Sequence, residues 1–227
     1  VPCVPDLWEM VPIRLSGRPS WEILVYGDPP IWKARMDAYR HFGVDAAFGL
    51  FVPLSEARSV VIHQDENKLI TLDFADNGGN RKWSSFVNVF PKEGPSAHRV
   101  AVESLGLPDE PESYQIISPN YRKLGREHFE DARQYVGDDG VVAPMVCLPA
   151  LPLDEGEIYR FYDHREEVIE QLNRQGNAMM KLAEEMMTWQ PDALMIGNSG
   201  MMIANPPSVF REIGLGWLQK VTRLAKE

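Results

Sequence analysis

Asp138-Asp139-Gly140-Val141-Val142-Ala143-Pro144-Met145-Val146-Cys147 is the stretch that decides the fold class. Three turn-forming residues lead into a run whose apolar side chains are successive rather than alternate. Such a strand is buried on both faces, as a parallel strand covered by helices is. The same kind of run recurs upstream, at Val44-Asp45-Ala46-Ala47-Phe48-Gly49-Leu50-Phe51-Val52, and downstream, at Ala193-Leu194-Met195-Ile196-Gly197. Cys3 to Trp8, short, apolar and bounded by proline, reads as a fourth. Helical periodicity separates these runs. Pro30 to Phe42 carries apolar residues at spacings of three and four, and Gly43 follows as a stop signal. Tyr121 to Tyr135 reads as a helix. Asp163 is placed as the N-cap of a long helix, with Glu166 as its capping-box partner and Val168, Leu172, Met179, Leu182 and Met186 as one stripe. Trp189-Gln190-Pro191 ends that helix. Pro206 and Pro207 start a last one, which runs through Phe210, Ile213, Trp217, Val221 and Leu224.

Strand–helix alternation of this kind predicts an α/β protein of (β/α)8 TIM-barrel type. A closed barrel needs eight strands, and four give half of one, so the expected architecture is an incomplete barrel forming one domain over residues 1–227. It carries an insert at about 56–118. There the periodicity changes: Val60 and Ile62 flank the polar stretch His63 to Lys68, and Leu69, Ile70, Leu72 and Phe74 follow, which is a hairpin. Asp76-Asn77-Gly78-Gly79-Asn80 is a second turn and Trp83 to Phe90 a third strand. Lys92 to Pro119 reads as a long loop with one short helix. The open edge of a half-barrel is expected to be covered by a partner chain or by missing residues.

Lys and Arg number 23 against 33 Asp and Glu, a formal net charge of −10. That balance points away from nucleic acid, whose phosphates must be neutralised by Lys and Arg. No apolar run approaches the roughly 18 residues that span a bilayer, and the first residues lack the basic and apolar regions of a signal peptide. A cytoplasmic protein is the expectation. Cys3 and Cys147 make no disulfide framework and no C-x-x-C clip, and are read as two buried free thiols. The absence of an initiator Met and the helical ending Leu224-Ala225-Lys226-Glu227 read as a fragment of a longer protein.

Three stretches together resemble the uroporphyrinogen decarboxylase superfamily, which includes corrinoid-dependent methyltransferases. The first is Gln190-Pro191-Asp192-Ala193-Leu194-Met195-Ile196-Gly197-Asn198-Ser199 with the run to Phe210-Arg211-Glu212. The second is Val142 to Pro149 with Tyr162 to Gln171. The third is Arg14-Leu15-Ser16-Gly17 through His41-Phe42-Gly43-Val44-Asp45-Ala46. The resemblance lies in spacing and hydrophobicity, and covers most of the chain outside the insert. Decarboxylases of the family carry R-x-x-G-R, whose arginines bind substrate carboxylates, and Arg14-Leu15-Ser16-Gly17-Arg18 fits that string, though within a helical stretch. They also place an essential Asp at the end of the second strand, where this chain has Phe48-Gly49-Leu50-Phe51. The resemblance therefore implies methyl transfer involving a corrinoid, with uroporphyrinogen decarboxylation as the runner-up and a non-catalytic barrel remnant acting as a binding module as a third reading.

The methyltransferases activate a thiol with zinc held by an H-x-C strand and a later Cys, and the alignment of motifs puts that strand after Glu227. None of His41, His63, His98, His128 and His164 has H-x-C spacing, and no His lies within ten residues of Cys3 or Cys147. No zinc site is expected within these residues. Zinc and a corrinoid supplied by a partner protein are expected of the full-length family member. The expected partners are thus a corrinoid protein or a small-molecule substrate, with a homodimer as the further candidate. Chemistry in such barrels sits at the C-terminal strand ends. The candidate binding residues are Glu9 as a base or ion-pair partner, Arg14 and Arg18 for anions, Cys147, and Asn198 with Ser199 for ligand hydrogen bonds.

Overall fold

A computed structural model describes residues 7–56, 58–77, 80–92, 97–151, 155–197 and 206–226. Among the described residues the fold is mixed α/β, with one three-stranded and one five-stranded sheet. It divides into two compact units. The first comprises Val1–Ala46 and Pro53–Gly140, the second Ala47–Val52 and Val141–Glu227.

The second unit holds the three-stranded sheet, in the order β1 (Ala46–Leu50), β7 (Gly140–Cys147), β8 (Met195–Gly197). β7 and β8 are parallel, with Met145, Val146 and Cys147 opposite Met195, Ile196 and Gly197. Along β1 and β7 the neighbours advance in the same direction: a side chain on Gly140 would meet Ala46, and one on Gly49 would meet Met195 first and Met145 next. That is parallel pairing as well. The sheet thus keeps chain order. α5 (Glu155–Asp163) and α6 (Arg165–Met187) connect β7 to β8, and α7 (Pro207–Ile213) and α8 (Leu215–Leu224) follow it. On α6, Val168, Leu172, Gly176, Met179, Ala183 and Met186 form one buried stripe at spacings of three and four. Val168 and Leu172 join Leu151, Phe161, Val209 and Ile213 in one core cluster.

The first unit begins with α1 (Met10–Ser16), α2 (Ser20–Leu24) and α3 (Ile31–Phe42). Gly43, at φ 62°, closes α3 with its N–H on the carbonyls of Arg40 and Tyr39. The insert is a five-stranded antiparallel sheet: β2 (Ser59–Gln64), β3 (Lys68–Asn77), β4 (Asn80–Pro91), β5 (His98–Ala101) and β6 (Gln115–Ile116), ordered β5-β4-β3-β2-β6. Its two faces differ. Val60, Ile70, Leu72 and Val87 pack with Val102 on one side. On the other, Val61 and Leu69 pack with Trp21 of α2, with Val25, Tyr26, Phe90 and Ile117 against them, and Ser59, Thr71, Asp73 and Asn88 are the polar part of that face. α4 (Gly125–Val136) completes the unit and buries His128, Phe129, Ala132 and Val136.

Among the described residues the parallel sheet has three strands, at three of the four expected places, and no closed barrel is formed. Several other expectations are corrected or lie outside the described residues. Cys3 to Asp6 of the expected first strand lie outside the described residues, and Leu7 and Trp8 are not in a strand. Residues 92–119 hold two short strands besides a 3-10 turn at Glu103–Leu105, because the free edges of β4 and β2 recruit them as partners. The helix expected from Tyr121 begins at Gly125, because Leu124, its N-cap, is extended at φ −126° and ψ 162°. Asp163 is the last residue of α5 and not a cap: His164 occupies the N-cap of α6 and makes no side-chain cap bond. The last helix is two, broken at Gly214. Cys147 is exposed rather than buried, because it ends β7 on the outward phase of the strand.

Candidate functional site

Glu9, Arg14 and Arg18 all belong to α1 or its flanks. Glu9 is half-buried and accepts the Ile13 N–H through its backbone carbonyl at 3.1 Å. Arg14 is exposed in the last turn, where Gly17, at φ 67°, turns its N–H back onto the Arg14 carbonyl. The Arg18 guanidinium is engaged: Nη1 donates to Asp28 Oδ2 at 2.9 Å, to the Asp28 carbonyl at 3.1 Å and to Glu22 Oε2 at 3.4 Å. It ties α2 to the loop behind it. Both partners are solvent-exposed, so replacing Arg18 with Ala is expected to change unfolding free energy by less than about 1 kcal/mol, measured by urea denaturation. Cys147 lies in the second unit, at the C-terminal end of β7. Asn198 and Ser199 lie outside the described residues.

A concavity of about 380 Å3 lies elsewhere, within the first unit. Ligand pockets are typically of this size. It stands over the polar part of the antiparallel sheet. Thr71 on β3 faces Asn88 on β4, and Ser59 on β2 faces Asp73 on β3. Side chains two apart on a strand share a face, so Thr71 and Asp73 point the same way. The Asp73 carboxylate accepts from Ser59 Oγ, and from Asn88 Nδ2 at 3.3 Å, which holds both lining side chains in place.

The opposite wall is the chain running into α4. It is fixed at its backbone: Asn120 N–H donates to the Tyr26 carbonyl at 2.7 Å, and Gly125 N–H to the Pro53 carbonyl at 2.9 Å. Gly27, at φ 65°, allows close approach, since a Cβ there would stand 3.1 Å from Tyr121 Cβ. Arg122 donates from Nε to the Pro119 carbonyl at 3.0 Å and from Nη2 to Ser118 Oγ at 2.5 Å. Asp131 receives Lys123 Nζ at 2.6 Å and the Tyr121 hydroxyl at 3.3 Å. Burial, reinforced by Asp131, pushes the Tyr121 phenol well above its ordinary range, so it stays protonated.

His128 completes the wall. It is only 7% exposed, its ring meets Tyr121 and Trp32 edge-on, and its Nδ1 is buried without a hydrogen-bond partner. Burial pushes its pKa below the ordinary 6.5; the Lys123 backbone and the Asp131 charge oppose this but do not win. The ring is therefore neutral at pH 7. Sequence reasoning weighs His128 only against a zinc motif and misses its burial. The signal is present, because His128, Phe129, Ala132 and Val136 recur at one, four and eight.

A pH dependence follows with a definite sign. A base whose folded pKa is depressed binds its proton more readily in the unfolded chain, so stability falls as pH drops through 6.5 toward the lower folded value. Replacing His128 with Asn is expected to remove part of the stability lost between pH 7.5 and 5.5, read from urea midpoints at the two pH values. An unchanged pH slope would contradict a buried neutral imidazole.

Among the described residues, no group of three His, Cys, Asp or Glu side chains stands together to hold a metal ion. The residues present thus do not fit the zinc site of the resemblance, and no chemistry is routed through it. Among the described residues no helix is long and apolar enough to cross a membrane. Comparison with family models, with curated proteins and with solved structures finds no match to this chain.

Proposed function

We propose that the chain is a barrel-type member of the uroporphyrinogen decarboxylase superfamily, and that its protein transfers methyl groups through a corrinoid carried by a partner. The observation that supports this is the chain order of the parallel sheet, β1-β7-β8, with α4 leading into β7 after the antiparallel insert and α5 and α6 between β7 and β8. A doubly wound sheet reverses its strand order at the switch point where it binds ligand. A barrel wall instead adds each strand beside the last, and presents its chemistry at the C-terminal ends. Cys147 stands at such an end.

The decarboxylase reading is disfavoured by Arg18. A guanidinium already shared between Asp28 and Glu22 is poorly placed to clamp a substrate carboxylate. The test is spectroscopic: the complete protein, given methyl-cobalamin and a thiol acceptor, should discharge the methyl group and convert the corrinoid spectrum. Release of CO2 from a porphyrinogen with no corrinoid reaction would reverse the assignment, and neither reaction would leave the binding-module reading.

A further inference from the structure

We propose that Met145, Met195 and Cys147, on one face of the parallel sheet in the second unit, bind a soft monovalent metal ion, cuprous copper, through one thiolate and two thioethers. The site shares Cys147 with the methyl-transfer reading. It rests only on the arrangement of the three sulfurs, and stands or falls without that reading.

The strand register brings the three side chains together. Met145 on β7 lies opposite Met195 on β8, and Cys147, two residues on, lies opposite Gly197. Residues two apart on a strand share a face, as do directly opposed residues of a pair. The sulfurs gather at two glycines. A Cβ on Gly49 of β1 would overlap Met195 Sδ and stand 3.0 Å from Met145 Sδ. One on Gly197 would stand 3.4 Å from Cys147 Sγ and 3.6 Å from Met145 Sδ. Met145 Sδ is thus common to both groups, and neither glycine sets a side chain among the sulfurs. An ion can reach them from solvent: Cys147 is exposed, Met195 is 45% exposed and Met145 is half-buried.

The donor set selects the ion. Thiolate and thioether sulfurs are soft and suit cuprous copper. Zinc draws its ligands from Cys, His, Asp and Glu, and two of the three donors here are methionines. With metal–sulfur bonds of about 2.3 Å, three sulfurs around one ion stand roughly 4 Å apart. Neighbouring strands lie about 4.8 Å apart and alternate residues of one strand about 6.7 Å, and the three rotatable bonds of each methionine span such gaps. On binding, the Cys147 S–H bond breaks, its proton leaves to solvent, and a sulfur–copper bond forms. The thioethers add a lone pair each. The thiolate balances the charge of the ion, copper stays cuprous, and no oxidant or reductant enters.

The experiment uses the full chain with Cys3→Ser, under exclusion of oxygen, titrated with cuprous copper buffered by a chromophoric chelator. Each chain should take up one ion and release one proton. Silver(I), a redox-inert stand-in, should shift the methyl resonances of Met145 and Met195, which are identified by their loss in the leucine variants. Met145→Leu and Met195→Leu conserve apolar volume and should leave folding intact. Each should weaken copper binding at least about tenfold, the least that loss of even a supporting partner costs a metal site. Cys147→Ser should weaken it more than about a hundredfold, because the balancing charge goes with the ligand. Zinc at the same concentration should not displace the copper. The proposal is overturned if no copper is retained against the chelator, if Cys147→Ser binds as tightly as the parent, or if zinc displaces the ion. Leucine variants that bind like the parent would mean a thiol acting alone, and one ion per two chains would mean a bridge between copies; either result also overturns it.

Discussion

Phe161→Ala is expected to destabilise the protein by about 3–5 kcal/mol, the usual cost of removing a fully buried phenyl ring. The ring has no exposure and sits among Leu151, Val168, Leu172, Val209 and Ile213. It is the point at which α5, α6 and α7 share one core. The Arg165 guanidinium stands 4.7 Å from its ring centroid, so truncation also removes a cation–π partner. Small side chains cannot refill the void, because interiors are packed at crystal density and relax only in part. Chemical denaturation of the variant measures this directly. A loss below about 1.5 kcal/mol would mean that the three helices do not converge on Phe161.

Gly176→Ala is the second large effect, and here two principles oppose each other. Glycine in a helix interior is about 1 kcal/mol less favourable than alanine, so propensity alone predicts a gain. Packing predicts a loss. A Cβ at Gly176 would lie 2.1 Å from Trp217 Cε2 and 2.5 Å from Cδ2, both atoms of a nearly buried ring rather than the free end of a flexible chain. Either α8 or the indole must move, and overpacking of that kind costs about 1–3 kcal/mol and sometimes more. The net expectation is a destabilisation of about 2 kcal/mol by urea titration. A more stable variant would show that α6 and α8 do not approach so closely.

The parts of the fold that are legible in the sequence are those where one physical signal acts alone. α3 has an uninterrupted apolar period and a left-handed Gly43 to end it, and β7 has a continuous apolar run, so each is read to within a few residues. The hairpin of β2 and β3 is legible for the same reason: its turn concentrates polar residues, and Asp65 does what such residues do, accepting the N–H groups of Asn67 and Lys68 at 2.8 and 2.9 Å.

Reading fails where tertiary pairing overrides local pattern. β5 and β6 are four and two residues long, and exist because β4 and β2 offer unpaired backbone. Asp163 has cap chemistry, yet the chain is already helical there as α5, and the break falls one residue later. Phe210 to Leu224 shows an unbroken apolar period, and nothing in that period marks the stop at Gly214. The candidate pocket is the least legible feature. Ser59, Thr71 and Asn88 come from three strands and His128 from a helix, and only the antiparallel register brings their faces to one cavity. The reading of Cys147 as buried fails on phase: the run through Val146 is apolar, but Cys147, the last residue of β7, falls on the exposed phase.

The measurement that tests the account most directly is a disulfide trap across β7 and β8. The parallel register sets Cys147 opposite Gly197, and a Cβ built on Gly197 comes within 3.4 Å of Cys147 Sγ. Its closest other neighbour is the flexible end of Met145, which can give way. In a Cys3→Ser background, Gly197→Cys should form an intramolecular disulfide with Cys147 on mild oxidation, seen as a mass loss of about 2 Da, two hydrogens, from the monomer and one cross-linked peptide pair. Met195→Cys, two residues earlier on β8, should not. Efficient bridging at 195 with none at 197 would contradict the register, and with it the chain-ordered parallel sheet on which the barrel-type reading rests.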